Sequence, residues 1–315
     1  MKDPIVVIGS SNVDMIMKVD HFPANGETVT DGVFRQVYGG KGANQAVAAA
    51  RAGGGVAFVS CVGDDVFAPP MTRNFKDDEI NTTYLFKETG VPCGTALIMI
   101  DRNGENIISV AAGANLKLTP DHLETAAETI GSSSIIVLQN EIPVETVEKA
   151  IDMAHGRGVK IMYNLAPARK VKPEYLEKID YLILNEVEAL FLAGKKVDTG
   201  EDASIAADIL KNMGVKTVII TLGKEGSFVA SENFTGKVDA YRVESIDSTA
   251  AGDVFCGSLA VALTEGKSIK NAVLFATAAA AISVTRIGAQ PSAPSRLEID
   301  SFMKSKSNVV MNQDA

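Results

Sequence analysis

The 315-residue chain has no tryptophan and only three cysteines and three histidines. Cys61, Cys93 and Cys256 are odd in number and far apart, so they fit a reducing compartment better than a disulfide framework or a zinc site. His21, His122 and His155 are equally scattered, with no cysteine or HxxxH partner, and no histidine-based metal site is expected. Long apolar runs are missing too. Nothing approaches the ~20 residues of a membrane helix, and the opening MKDPIVVIGS enters a short β-rich run without a signal peptide's apolar stretch. Basic residues are in deficit: 30 Lys and Arg against 39 Asp and Glu give a formal net charge of −9. A surface of that sign argues against general nucleic-acid binding. The expectation is a cytoplasmic protein with neither a membrane nor a nucleic-acid partner.

What is present is ordinary globular material, 46% hydrophobic and 22% charged, in a chain long enough to bury a large core. Apolar runs of strand length recur at Ile5–Ile8, Ala57–Cys61, Ile135–Gln139, Lys160–Asn164, Tyr181–Leu184 and Thr217–Thr221. Helix-patterned segments lie between them at Gly42–Arg51, Pro120–Thr129, Val144–His155 and Ala203–Met213, and two alanine-rich helices follow at Gly252–Leu263 and Ile269–Thr285. Short, nearly continuous apolar strands separated by helices predict an α/β fold, a doubly wound and mostly parallel sheet with helices on both faces. Two stretches break the alternation. Met15–Val19 with Thr28–Tyr38, and Thr95–Asp101 with Glu105–Ala111 around an Asn-Gly turn, predict a small four-stranded sheet inserted from about residues 12–40 and 93–112. Beside a site, such a sheet serves as a lid or a dimer surface. The single domain is expected over residues 1–307; Lys304–Ala315 is polar and aperiodic and reads as a frayed tail, with 308–315 disordered.

Residues 247 to 258, Asp-Ser-Thr-Ala-Ala-Gly-Asp-Val-Phe-Cys-Gly-Ser, carry the most chemistry. A helix start presents unpaired N–H groups and the positive end of the dipole, and Ala250, Ala251 and Gly252 let an anion approach the backbone closely. A carboxylate there repels phosphate unless it has its own task, such as taking a proton from an attacking hydroxyl; Asp253 is therefore a candidate general base. Gly9-Ser-Ser-Asn12-Val13-Asp14 directly follows the first strand, where open α/β sheets bind ligands. Asn12 and Asp14 alternate in an extended run and share a face, suiting a polyhydroxy ligand or else a solvated turn. In Gly39-Gly40-Lys41-Gly42-Ala43-Asn44, three glycines in four positions permit close ligand approach, with Lys41 and Asn44 in reach of a sugar or phosphate; a plain structural turn is the alternative. Asn185-Glu-Val-Glu188 follows a strand and either organises waters around a nucleotide's magnesium or simply starts a helix. Thr221-Leu222-Gly223-Lys224-Glu225-Gly226 either lines a nucleotide or makes only a hairpin turn, and Glu141 is one more carboxylate at a strand end. Gly266-Lys267-Ser268 ends like a P-loop, but Val261 stands where its first glycine is needed and no strand precedes it, so a Walker A site is excluded. No Gly-x-Gly-x-x-Gly follows any strand, which disfavours a dinucleotide oxidoreductase.

Together these segments resemble the ribokinase family, the PfkB-type carbohydrate kinases. The likeness rests on both glycine-rich signatures and on GETVTDGVFRQVYGGKGANQAVAAARAG, AGANLKLTP, NLAPAR and AAAISVTRIGAQPS, in order, over about the first 300 residues. It implies ATP-dependent phosphorylation of D-ribose at O5, giving ribose 5-phosphate and ADP. By position it assigns Asn12, Val13, Asp14, Gly40, Lys41, Gly42, Ala43, Asn44 and Glu141 to the sugar, with Asp253 the base and Ala250–Gly252 the anion hole. It assigns Asn185, Thr221 to Gly226, Gly252, Asp253 and Thr277 to ATP, and Glu188 to Mg²⁺ through water. It further implies an activating monovalent cation, usually K⁺, near Asp247, Thr249, Ser283, Arg286, Gly288 and Ser292, and a homodimer formed through the β lid. Two departures stand out: Cys256, where relatives often carry asparagine, expected as a buried inert thiol, and Pro69-Pro70, where relatives usually have glycine. Kinases for 2-deoxyribose, fructose or a nucleoside are the rival enzymes; a non-catalytic sugar or nucleotide sensor is the rival outside catalysis.

Overall fold

The structure is a computed structural model that describes residues 5–311, with side chains to 306. Its strands are β1 (Ile5–Ile8), β2 (Asn12–Lys18), β3 (Val33–Gly39), β4 (Val56–Val62), β5 (Leu85–Lys87), β6 (Gly94–Ile100) and β7 (Asn106–Ala111). They continue with β8 (Ile135–Leu138), β9 (Lys160–Asn164), β10 (Tyr181–Asn185), β11 (Thr217–Thr221), β12 (Ser227–Ala230) and β13 (Thr235–Val238). Nine form one sheet in the order β13-β12-β11-β10-β9-β8-β1-β4-β5. From β11 to β5 the neighbours are parallel, and β12 and β13 add an antiparallel edge.

The doubly wound reading holds, and the strands show why. All four residues of β1 are fully buried, because successive side chains enter different cores: Ile5 and Val7 one, Val6 and Ile8 the other. The first core is closed by the helices Lys41–Arg51, Ala68–Asp77, Ala251–Thr264 and Ile269–Ser283. The second is closed by Val144–His155, Glu186–Ala193, Gly200–Asn212 and the helical turns around Leu123 and Ile130. The remaining four strands make a separate sheet, β3-β2-β6-β7, with β2 parallel to β6 and both outer pairs antiparallel.

Several boundaries differ from expectation, each for a local reason. The segment read as one helix over Pro120–Thr129 is two, Pro120–Thr125 and Ala127–Ser132, broken at Ala126, whose N–H turns to the carbonyls of His122 and Leu123. The helix read from Ala203 starts at Gly200, because Thr199 and Asp202 form a reciprocal capping box ahead of it. Pro69 and Pro70 fall in the first turn of Ala68–Asp77, where a missing N–H costs no helical bond. Lys304, read as the start of a frayed tail, instead continues a helix. The helix runs Arg296–Met311, anchored by buried Ile299 and by Phe302, whose ring meets Tyr241 edge-on; residues 312–315 lie outside the described residues. No helix among the described residues is long and apolar enough to cross a membrane.

Candidate active site

The chain winds outward from β1 through β4 to β5, then restarts at β8 and winds the other way, so β1 and β8 flank the topological switch point. Gly9-Ser10-Ser11 leaves β1 there, and Gln139-Asn140-Glu141 leaves β8. Ser10 Oγ donates to Glu141 Oε2 at 2.5 Å and the Lys41 N–H to the same oxygen at 2.9 Å. Glu141 thus supplies the anionic partner at the start of the Lys41–Arg51 helix, whose N-cap, Gly40, has no side chain to offer. The glycines set this geometry. Gly40 sits at φ 87°, and a Cβ on Gly42 would come within 2.6 Å of the Gly9 and Ser10 backbone.

The Ala251–Thr264 helix crosses the Lys41–Arg51 helix at Gly257, where a Cβ would meet Gln45 O at 2.5 Å and Ala48 Cβ at 2.8 Å. This close approach sets Asp253 among side chains of the first helix. Asn44 Nδ2 donates to Asp253 Oδ2 and Gln45 Nε2 to Oδ1, both at 2.9 Å. Burial pushes the Asp253 carboxyl above its ordinary pKa, opposed by the Lys41 ammonium and the two amides. Asp253 in turn raises the Lys41 pKa, so Lys41 keeps its proton among Asp253, Glu141 and Glu188. Ala250 caps the second helix in the left-handed region at φ 60°, a strained position for a residue with a Cβ. The Ala251 N–H turns back to Ser248 O, and the N–H groups of Gly252 and Asp253 have no protein acceptor among the described residues.

On the facing β2 strand, Asn12 and Asp14 share a face as the alternation required, whereas Val13 points into the core and offers only its backbone. Burial, helped by Glu141 and Asp253, pushes Asp14 up to about 6. Asn12 Oδ1 accepts from Asn115 Nδ2 at 2.7 Å, and Asn115 Oδ1 accepts from the Ser11 N–H at 2.8 Å. The Asn12 orientation is therefore set with its amide N–H groups free to donate outward.

Asn185 and Glu188 do start a helix, through a capping box in which each side chain accepts from the other's N–H at 2.9 Å. Glu188 is also buried, and burial raises its pKa against the opposing Asn185 N–H and Lys41 charge, so its free oxygen belongs to the same electrostatic cluster. Thr221 ends β11, and Gly223–Glu225 forms a tight turn into β12. In that turn Lys224 is exposed, Glu225 pairs with Lys237, the Leu222 N–H donates to Gly226 O, and Gly226 sits at φ 98° with Val238 O 2.1 Å from a would-be Cβ. The Thr277 hydroxyl is spent on Val273 O inside its own helix.

Asp247 latches two loops, accepting from Thr249 N–H at 2.9 Å and from Gly288 N–H at 2.8 Å. Burial pushes its carboxyl up, but these bonds more than offset burial and hold it below the usual range. Ser283 and Ser292 hydroxyls donate locally to Ala280 O and Ala289 O, and the Arg286 side chain turns away to Glu298, so these residues have backbone carbonyls, and the serines also hydroxyl lone pairs, to present.

The family model for the pfkB family carbohydrate kinases matches residues 2–296. The chain belongs to that family. Among curated relatives, the ribokinase of Haemophilus influenzae is 40% identical over 304 residues, covering 96% of this chain and 99% of that protein. The deoxyribokinase of Salmonella typhi is 38% identical over 303 residues, covering 95% and 98%. Among solved structures, the Arabidopsis thaliana ribokinase complexed with ribose and ATP has a TM-score of 0.90 at 31% identity, covering 96% of this chain and 99% of that one.

Within this carbohydrate kinase, four polar residues around the site escaped the sequence reading: Gln45, Asn115, Gln139 and Asn164. The rule that ligands lie beyond strand ends would have found Gln139 and Asn164, since both stand at the carboxyl ends of strands. Gln45 directly follows Asn44, and only the crossing helices reveal its purpose. Cys256 is fully buried, and burial raises its thiol pKa well above the ordinary value, as expected of an inert thiol.

Proposed function

We propose that the chain is a cytoplasmic, ATP-dependent kinase of D-ribose, producing ribose 5-phosphate and ADP. One observation carries the reading: a buried carboxylate, Asp253, held by two amides at a helix N-terminus whose own N–H groups are free. Asp253 takes the proton of the ribose 5-hydroxyl as that oxygen attacks the γ-phosphorus, and the bond from phosphorus to the ADP oxygen breaks. The Gly252 and Asp253 N–H groups and the Lys41 ammonium stabilise the charge on the transferring group. The raised pKa keeps Asp253 basic enough to accept the proton. Asp14 and the Asn12 amide, on the β2 face, hold sugar hydroxyls as acceptor and donor, and the unpartnered, buried Asn44 Oδ1 accepts one more. The turn Thr221–Gly226 lines the nucleotide.

The donor set fits magnesium held mostly by phosphate and water, since no cluster of three His, Cys, Asp or Glu stands among the described residues and Glu188 offers one free, buried oxygen. Mg²⁺ would supply charge neutralisation on the phosphates. A loop latched by a carboxylate of lowered pKa and rich in carbonyls likewise fits K⁺, near Asp247, Thr249, Ser283, Arg286, Gly288 and Ser292. The four-stranded sheet would act as the lid. Its Phe34, Leu97, Ile107 and Val110 are each more than half exposed, which supports a homodimer through that sheet.

A deoxyribose kinase is the second reading, favoured by the similar identity to the Salmonella typhi enzyme. The outward Asn12 donor beside Asp14 supports ribose, because a site built to pair a hydroxyl rejects the analogue lacking it. Two measurements decide. A kcat/KM for 2-deoxyribose above that for ribose overturns the substrate. Asp253→Asn should keep ribose binding and lose about 10²–10⁴-fold in kcat; normal turnover refutes the base.

A further inference from the structure

We propose that Gln45 is a positioning residue for phosphoryl transfer, its side-chain amide fixing the orientation of the Asp253 carboxylate without touching the sugar. The inference rests on Asp253 being the base. A primary amide has two N–H donors and one carbonyl acceptor, and each Gln45 group is committed. Nε2 donates to Asp253 Oδ1 at 2.9 Å and to Asn164 Oδ1 at 3.1 Å, while Oε1 accepts from Gln139 Nε2 at 2.7 Å. Reversing the amide would face oxygen with oxygen at Asp253 and Asn164, and nitrogen with nitrogen at Gln139. Asn164 cannot reverse with it, because its Nδ2 donates to Ile183 O at 3.3 Å. The alignment therefore begins at a main-chain carbonyl of the central sheet and ends at the carboxylate, through side chains that are all buried.

Asn44 cannot do this work alone. Its Oδ1 is buried and unpartnered, so its amide also stands open to a ligand. Both Gln45 N–H donors are spent inside the protein and its carbonyl already accepts from Gln139, so no donor is left for a ligand. A second feature points to function over packing. Gln139 Oε1 is buried with no partner, a cost that an apolar residue at 139 would remove. What Gln139 provides in return is the N–H that keeps Gln45 aimed.

The test is Gln45→Met in the full chain, which keeps the bulk and removes the hydrogen bonds, assayed beside Asp253→Asn with ATP, ribose, Mg²⁺ and K⁺. Loss of a hydrogen bond to a buried charge predicts a fall of about 10- to 100-fold in kcat, with the ribose KM changed by less than about threefold. The acidic limb of kcat, which reports the sugar-bound enzyme, should also move to higher pH, because the Asp253 carboxylate loses a donor that favours its charged form. A folded Gln45→Met protein with kcat within twofold of the parent, or with the limb unmoved, overturns the proposal. Turnover surviving in Asp253→Asn instead overturns the base assignment. Should Gln45→Met fail to fold, the unmodified protein answers. The Gln45 side-chain amide signals of ¹⁵N-labelled protein should shift across the same pH range as the acidic limb, and signals flat across that range overturn the proposal.

Discussion

Gly257→Ala adds one methyl group at a residue buried in the helix crossing, which makes it a sensitive probe of the geometry around Asp253. A Cβ there would lie 2.5 Å from Gln45 O, 2.8 Å from Ala48 Cβ and 2.8 Å from Ala49 N. These are backbone or Cβ atoms, so no flexible side-chain end can swing away. Ordinary contact needs about 3.5 Å, so the two helices must part by about 1 Å. The Asn44 and Gln45 donors, each 2.9 Å from Asp253, would then pass beyond the ~3.5 Å at which a hydrogen bond is lost. Overpacking costs about 1–3 kcal/mol, and alanine's helix preference returns about 1 kcal/mol. The melting temperature should therefore fall by only a few degrees. Misplacement by about 1 Å costs on the order of 10²-fold in rate. The expected signature in a coupled ADP-release assay is a large loss of kcat in a protein that is still folded. Gly200→Ala, at an exposed helix start with nothing within 4 Å of its would-be Cβ, should match the parent in kcat. A Gly257→Ala enzyme within threefold of the parent would refute the idea that the crossing sets the geometry around Asp253.

Asp14, held at about 6 against an ordinary 3.8, binds its proton more tightly folded than unfolded, so its stabilising contribution is present below pH 4 and lost as pH rises through 6. Asp14→Asn should accordingly raise the sugar-free protein's stability at pH 7.5 by roughly 1–3 kcal/mol, with little difference at pH 4, while the ribose KM rises; a melting difference that does not grow between pH 4 and pH 7.5 would contradict this. Replacing K⁺ by tetramethylammonium, whose methyl groups keep its charge away from carbonyl and carboxylate oxygens, should lower activity, and unchanged turnover would remove the cation from the proposal. Cys61 and Cys93, which burial pushes up to about 11 and 12, and the fully buried Cys256 should react with a thiol reagent at pH 8 only as fast as the protein opens, and a rapid stoichiometric burst would show otherwise.

The sheet was legible because its code is local. A run such as Ile-Val-Val-Ile feeds two cores at once, and only a strand covered on both faces can be apolar at every position. Helix ends were less legible, since Thr199 with Asp202 and the turn at Ala126 depend on single capping and turn bonds that periodicity does not register. Asn12, Asp14, Lys41, Asn44 and Asp253 could be singled out because each has unusual neighbours in sequence. Gln45 could not. Its partners are 94, 119 and 208 residues away, and a glutamine inside an alanine-rich helix has no local mark of its task. The link between the two cases is Gly257. It was read with residues 247 to 258 as part of a phosphate-binding helix start, yet its glycine character answers a packing demand from the other helix. The carboxylate and the small residue that lets its supporting amides reach it stand four residues apart, one helical turn, on the same face. A base on this helix could therefore not be moved by one position and keep its partners, because one residue turns the side chain by about 100°, off the face on which Gly257 meets the first helix.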